Sequence, residues 1–307
     1  MNKNDVKWEG ILVVPVIPFD EEGNIKEQAL INFIESLVKD GAHGIIISGH
    51  NGESWATTRE EKKHLCKLVV DSFSKKVPII AGVEGVTPKE VIEGCNDAKE
   101  AGAEGVMITP PNIVATATDK EIIKRYEIIS NETDLPIMIY NNPRRTQISL
   151  YPELLERLAD IEKVVALKEA VSDIRELTTV IHKIGDRIAV FSSGIMMLPS
   201  VLLGSQGVIS SGPMEFLGKD FVEYWENLKR GNINEKVINT HKQITKIYKL
   251  LVLGKDGAYP ATFPATFKAA LNILGKEVGV PRLPVLPVEE KYLPKLREDL
   301  REIGLLV

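Results

Sequence analysis

The chain has 307 residues, 44% of them hydrophobic and 26% charged, and a formal net charge of -5. That length permits one large domain or two smaller ones around a sizeable core, and the mild acidity argues against a general nucleic-acid binder, which carries a basic patch. Two cysteines, a polar N-terminus without a signal-peptide core, and no apolar run of bilayer length lead to the expectation of a soluble cytoplasmic protein.

Residues 11–17 are apolar and β-branched, which predicts a first strand. Leu30, Phe33, Ile34, Leu37 and Val38 share one face of a helix over 27–39, and Asp40-Gly41 stops it. Residues 44–47 form the next buried strand and open into the small, polar loop Ser48-Gly49-His50-Asn51-Gly52-Glu53-Ser54. A charged helix over 58–73 follows. The pattern then repeats. Strands are predicted at 77–81, 105–108, 135–140, 163–167, 187–191 and 207–209. Helices are predicted at 88–101, 119–130, 150–159, 172–184, 196–203 and 216–229. Thr87-Pro88-Lys89-Glu90 is a capping box with proline at the first helical position.

Eight strand–helix units at this spacing build a parallel sheet with helices outside. Eight favour a closed (β/α)8 TIM barrel. The alternative, an open doubly wound sheet, often carries a glycine-rich fingerprint after its first strand. Here that strand leads into Pro18-Phe19-Asp20. After Gly231 the strand signal stops, and three helices are expected over 233–253, 258–274 and 288–303. The expected organisation is a barrel over 1–230 and a C-terminal helical region over 231–307 packed on it.

Barrel enzymes place their chemistry at the C-terminal ends of the strands. Three segments leave three strands there: residues 49–53, Tyr140 and Lys168. Val164-Val165-Ala166-Leu167-Lys168 ends a doubly buried strand on a lysine. Burial favours the neutral amine, and a neutral amine attacks ketones to form a Schiff base. The plain alternative is a surface lysine closing a strand. Backbone amides of a glycine loop cradle a carboxylate, or merely make a tight turn. The Tyr140 phenol shuttles protons, or is a satisfied core tyrosine. Arg144 or Arg145 grips a carboxylate, or both are a solvated basic turn. His43, His50, His64, His182 and His241 show no metal-ligand spacing, so no metal is expected.

With those residues in hand, the chain resembles the dihydrodipicolinate synthase / N-acetylneuraminate lyase family of class I, Schiff-base aldolases. The resemblance rests on Gly49-His50-Asn51-Gly52-Glu53-Ser54, Tyr140-Asn141-Asn142-Pro143-Arg144-Arg145-Thr146 and Ala166-Leu167-Lys168-Glu169-Ala170. Ser193-Gly194 and Gly207-Val208-Ile209-Ser210 continue it. It implies a barrel with a C-terminal helical region in a homotetramer. It implies that Lys168 forms an imine with pyruvate or another 2-oxo acid and that Tyr140 is the general acid/base. Gly49, His50 and Asn51 would bind the substrate carboxylate, and the main chain near Ile209 would line the pocket. The imine serves as electron sink, so neither metal nor organic cofactor is expected.

Two positions depart from the family pattern. His50 and Asn51 stand where threonine or serine is usual. Thr109-Pro110 is followed by Pro111-Asn112 rather than by the tyrosine pair of the synthases. Of the synthase threonine–tyrosine–tyrosine relay only Tyr140 is kept. Arg145 matches the synthase arginine that receives the carboxylate of the aldehyde. The mixture points to a lyase, aldolase or dehydratase acting on pyruvate or a 2-keto-3-deoxy acid, with a different acidic or sugar-derived partner. Dihydrodipicolinate synthase itself is the alternative, and a non-catalytic relative is a third. His50 either supplies a second acid/base group or only orients a carboxylate.

Overall fold

Eight short strands close into a parallel barrel in sequence order, and the last pairs with the first. They are β1 (Gly10–Val13), β2 (Gly44–Ile47), β3 (Ile79–Val83), β4 (Gly105–Ile108), β5 (Ile137–Asn141), β6 (Val164–Glu169), β7 (Ala189–Ser193) and β8 (Gly207–Ser210). This computed structural model describes residues 1–111, 117–253 and 261–306, without the side chains of 252 and 253. Almost every strand residue is buried, as a sheet covered on both faces requires.

The outer layer runs α1 (Glu27–Asp40), α2 (Arg59–Phe73), α3 (Pro88–Ala101), α4 (Asp119–Glu132), α5 (Pro143–Thr146), α6 (Pro152–Leu158), α7 (Ile174–Ile184), α8 (Met197–Leu202), α9 (Pro213–Leu217) and α10 (Lys219–Lys229). Then come α11 (Glu235–Leu253), α12 (Phe263–Ile273) and α13 (Leu293–Ile303). Thr58, Thr87 and Thr118 each cap a helix reciprocally with the glutamate three residues on. Each box satisfies amides that the first turn leaves without partners. Among the described residues no helix is long and apolar enough to cross a membrane.

Several boundaries differ from expectation for local reasons. β1 stops at Val13 rather than residue 17, because Pro15 and Pro18 have no amide for the ladder. β3 begins after Pro78 instead of at Val77, and β7 lies two residues later than predicted. The single helix expected over 216–229 is two. Gly218 breaks it at φ 51°, where a Cβ would stand 2.6 Å from the Asp40 carboxylate. The turn after β5 folds into α5, started by Pro143, where no helix was expected. The beginning of the predicted helix over 258–274 lies outside the described residues.

The barrel interior is a separate packed cluster. It holds Leu12, Val14, Ile46, Ile80, Met107, Met138, Tyr140, Val165, Ala166, Ala189, Phe191 and Ile209, with Trp8 at the N-terminal end. Its geometry depends on one irregularity in β6. Ile137 pairs with Val164, but Met138 pairs with Ala166, so Val165 is an extra residue. Val165 and Ala166 both join the interior cluster, while Val164 and Leu167 join the outer core. A bulge shifts strand parity by one, and this one turns Lys168 inward and Glu169 outward.

Closure at the β8–β1 seam leaves no room for a side chain. A Cβ on Gly207 would lie 2.2 Å from the Gly10 carbonyl oxygen and 2.7 Å from the Phe191 ring. Gly207→Ala is expected to lower the unfolding free energy by about 1–3 kcal/mol, the usual range for an overpacked core. Chemical denaturation of the two purified proteins measures it, and coincident curves would contradict the packing argument.

Candidate active site

Tyr140 and Lys168 are register partners, side by side on β5 and β6. Neighbouring strands stand about 4.8 Å apart, and both side chains point into the barrel. The Lys168 amine lies 4.0 Å from the centroid of the Tyr140 ring, and the two residues are only 3% and 6% exposed. Asn142, two residues beyond Tyr140 and so on the same strand face, donates from Nδ2 to the phenol oxygen at 2.8 Å. Sequence reasoning quoted Asn142 without giving it a task. The period-2 parity from Tyr140 was the signal that could have found it.

Burial drives the Lys168 amine below its ordinary pKa, the charge of Arg145 pushes the same way, and Tyr140 opposes them. Burial alone would raise the Tyr140 phenol, but the charges of Lys168 and Arg145 outweigh it and hold the phenol below its usual value. One cation at the rim thus favours proton loss from both groups. Both shifts make the proton on each group easier to remove.

That cation is held by local structure. The Arg145 amide donates to the Asn142 carbonyl at 2.9 Å, and Thr146 Oγ1 bonds the same carbonyl and that of Ile148. The exposed guanidinium of Arg145 reaches across the mouth and meets His50 Nε2. Burial first, then the charges of Arg145 and Lys168, lower the His50 imidazole to about 3. The ring is therefore neutral at physiological pH and faces Arg145 as an acceptor. Of the two tasks weighed for His50, this geometry suits orientation rather than proton donation.

The loop over 49–51 leaves β2 as a 3-10 turn, His50–Gly52. Gly52 donates to the Gly49 carbonyl and Glu53 to that of His50. Among the described residues, no main-chain carbonyl in a turn or loop accepts from the amides of Gly49, His50 or Asn51. Among the described residues, Ser48 Oγ and Asn51 Nδ2 are buried without a hydrogen-bond partner. Open buried polar groups of this kind are ones that a water or a polar ligand would satisfy. Gly49 packs where a Cβ would fall 2.6 Å from Val14. Ile209 on β8 lies in the same interior cluster as Tyr140.

The structure thus gathers Lys168, Tyr140, Arg145, His50, the 49–51 turn and Ile209 at the C-terminal end of one barrel. Arg144 is exposed. Asn112 lies outside the described residues. His43 accepts from the Ile11 amide, and His241 pairs with the Tyr224 hydroxyl, so both are tied into the scaffold.

The model of the Dihydrodipicolinate synthetase family matches residues 7–303. The chain belongs to that family. A relative from Bacillus subtilis, 4-hydroxy-tetrahydrodipicolinate synthase, is 33% identical over 290 residues, covering 94% of this chain and 97% of the relative. The dihydrodipicolinate synthase structure from Thermotoga maritima superposes with a TM-score of 0.89 at 28% identity, covering 98% of this chain and 100% of that one. That of the chloride-inhibited synthase from Acinetobacter baumannii, complexed with pyruvate, gives 0.88 at 26% identity, covering 97% and 99%. As a family member the protein is an enzyme, a Schiff-base-forming lyase or aldolase. Fold and family agree with the sequence resemblance.

Behind the lysine, Glu169 points away from the barrel axis into a dry pocket. Asn141 Nδ2 reaches both its oxygens at 3.0 Å, and Asn141 also bonds Leu150 in both directions. Burial raises the carboxyl to about 8, against the Asn141 bond. The folded state therefore holds a proton that the unfolded chain, at about 4.5, releases. Its contribution is whole below about 4.5 and is lost as pH climbs through about 8. Glu169→Gln, which keeps an acceptor and cannot ionise, should gain Tm relative to the native protein as pH rises from 5 to 8. Parallel Tm–pH curves would contradict the buried-acid assignment.

Proposed function

We propose that the protein is a lyase or aldolase in which Lys168 forms an imine with pyruvate or a 2-keto-3-deoxy acid beneath the Tyr140 phenol. The observation that carries this is the dry, inward-facing amine packed on the Tyr140 ring. The neutral amine adds to the ketone carbon, and the carbinolamine hydroxyl leaves as water after taking a proton from Tyr140. The protonated imine draws electrons from the adjacent carbon, which loses a proton, or breaks a carbon–carbon bond and releases an aldehyde. The resulting enamine adds to an aldehyde in the reverse sense. Water then frees Lys168. No metal or organic cofactor enters these steps, because the iminium itself is the electron sink.

The 49–51 amides, with Ser48 and Asn51, seat the 2-oxo-acid carboxylate. Main chain near Ile209 lines the floor. Arg145 receives an acidic group on the second substrate, and His50 holds the guanidinium in place. A narrower reading, 4-hydroxy-tetrahydrodipicolinate synthase, is favoured by Arg145 and by the names of relatives. Assay of pyruvate with aspartate semialdehyde against a panel of 2-keto-3-deoxy acids separates the two. Two further features belong to the proposal. Buried, unbridged Cys66 and Cys95 support a reducing, cytoplasmic setting. Exposed Ile195, Leu202 and Leu203 support assembly into a homotetramer.

Borohydride should trap a pyruvate adduct on the native chain and none on Lys168→Ala. Tyr140→Phe should lower turnover by about 10²–10⁴ with little change in Tm, the usual contribution of a positioned acid/base. An adduct on the alanine variant would overturn the assignment of Lys168.

His50→Ala should raise the KM of an acidic second substrate several-fold and change kcat by about twofold or less, as expected for lost positioning. Loss of a pH limb near neutrality together with a large fall in kcat would instead make His50 the second acid/base.

A further inference from the structure

The barrel mouth is fastened to the C-terminal helices by a buried ion pair. Glu53, the residue after the 3-10 turn, has a left-handed backbone (φ 54°) and is fully buried. Its Oε1 lies 2.5 Å from Nζ of Lys268 on α12, which is 1% exposed. Lys268 also donates to the Val280 carbonyl at 2.8 Å, and the Arg282 amide donates to Glu53 Oε2 at 2.9 Å. Arg282 continues outward to the Ala56 carbonyl and the Glu61 carboxylate. Lys268 and Arg282 stand 4.5 and 4.4 Å from the centroid of Phe19, just after β1.

Stability is a poor account of this pair. A buried ion pair is often no better than apolar residues of the same volume, because desolvation offsets the attraction. Its placement is more telling. The Glu53 amide closes the turn by bonding the His50 carbonyl, so fixing the Glu53 side chain fixes the turn. The turn presents the amides of residues 49–51 and the His50 ring that meets Arg145.

We propose that Lys268 is a positioning residue for 2-oxo-acid binding: through Glu53 it sets the 49–51 turn at the barrel mouth. The inference rests on the reading of that turn as the carboxylate seat. It gives α12 a direct part in substrate affinity although it lies beyond the barrel in sequence.

The test uses full-length protein and borohydride trapping across a pyruvate series. Lys268→Met alone strands a buried carboxylate and is expected to lower Tm. Lys268→Met combined with Glu53→Gln removes both charges and keeps the shapes. In the double variant, half-saturating pyruvate should rise about fivefold or more while the limiting trapping rate stays within about twofold, the signature of lost ground-state binding. Unchanged half-saturation with a lower Tm would make the pair purely structural and overturn the proposal. So would a fall in limiting rate at constant half-saturation. Failure of pyruvate to trap the native protein would remove the imine reading and this inference together. Normal native trapping with an unaltered double variant removes this inference alone.

Discussion

The site depends on one geometric constraint: Lys168 must face the barrel axis. A regular β6 in register with β5 would alternate Val164 out, Val165 in, Ala166 out, and would send the lysine into the helical layer. The extra residue at Val165 resets that alternation. The amine then meets the Tyr140 ring, and the neighbouring Glu169 takes the outward position held by Asn141. A single inserted residue thus sorts two adjacent ionisable groups into opposite environments. The lysine sits in the dry interior, where burial favours the uncharged amine. The glutamate sits where protonation lets it bond without a counter-charge.

Electrostatics at the mouth follow from the same economy of charge. Arg145 lowers the affinity for protons of Lys168, Tyr140 and His50 at once. Its effect is useful on the first two and disarming on the third. The imidazole that replaces the usual hydroxyl residue becomes a neutral acceptor for the guanidinium.

Much of this was legible in the chain. Apolar runs of four or five residues separated by capped helices have few other solutions than a parallel barrel, and β2 and β4 fall on their predicted residues. Lys168 and Tyr140 were visible as polar groups ending apolar strands, and the structure brings them together. What the sequence did not display were facts of parity and distance. Nothing in Val164-Val165-Ala166 announces a bulge, because all three residues are apolar and suit either face. The break at Gly218 was hidden by helical periodicity on both sides of it; the glycine takes a positive φ where a Cβ would meet Asp40 of α1. Nothing in the sequence singled out Lys268, since its partner lies far away in the chain.

That separation has a bearing on how the molecule comes into being. Arg282 and Glu53 are 229 residues apart, yet they share a hydrogen bond at the rim. Synthesis runs from the N-terminus, so all eight strands emerge before α12 does. The lysine that faces the Glu53 carboxylate in the folded protein is therefore made after every strand of the barrel, and their buried pair can form only once α12 exists.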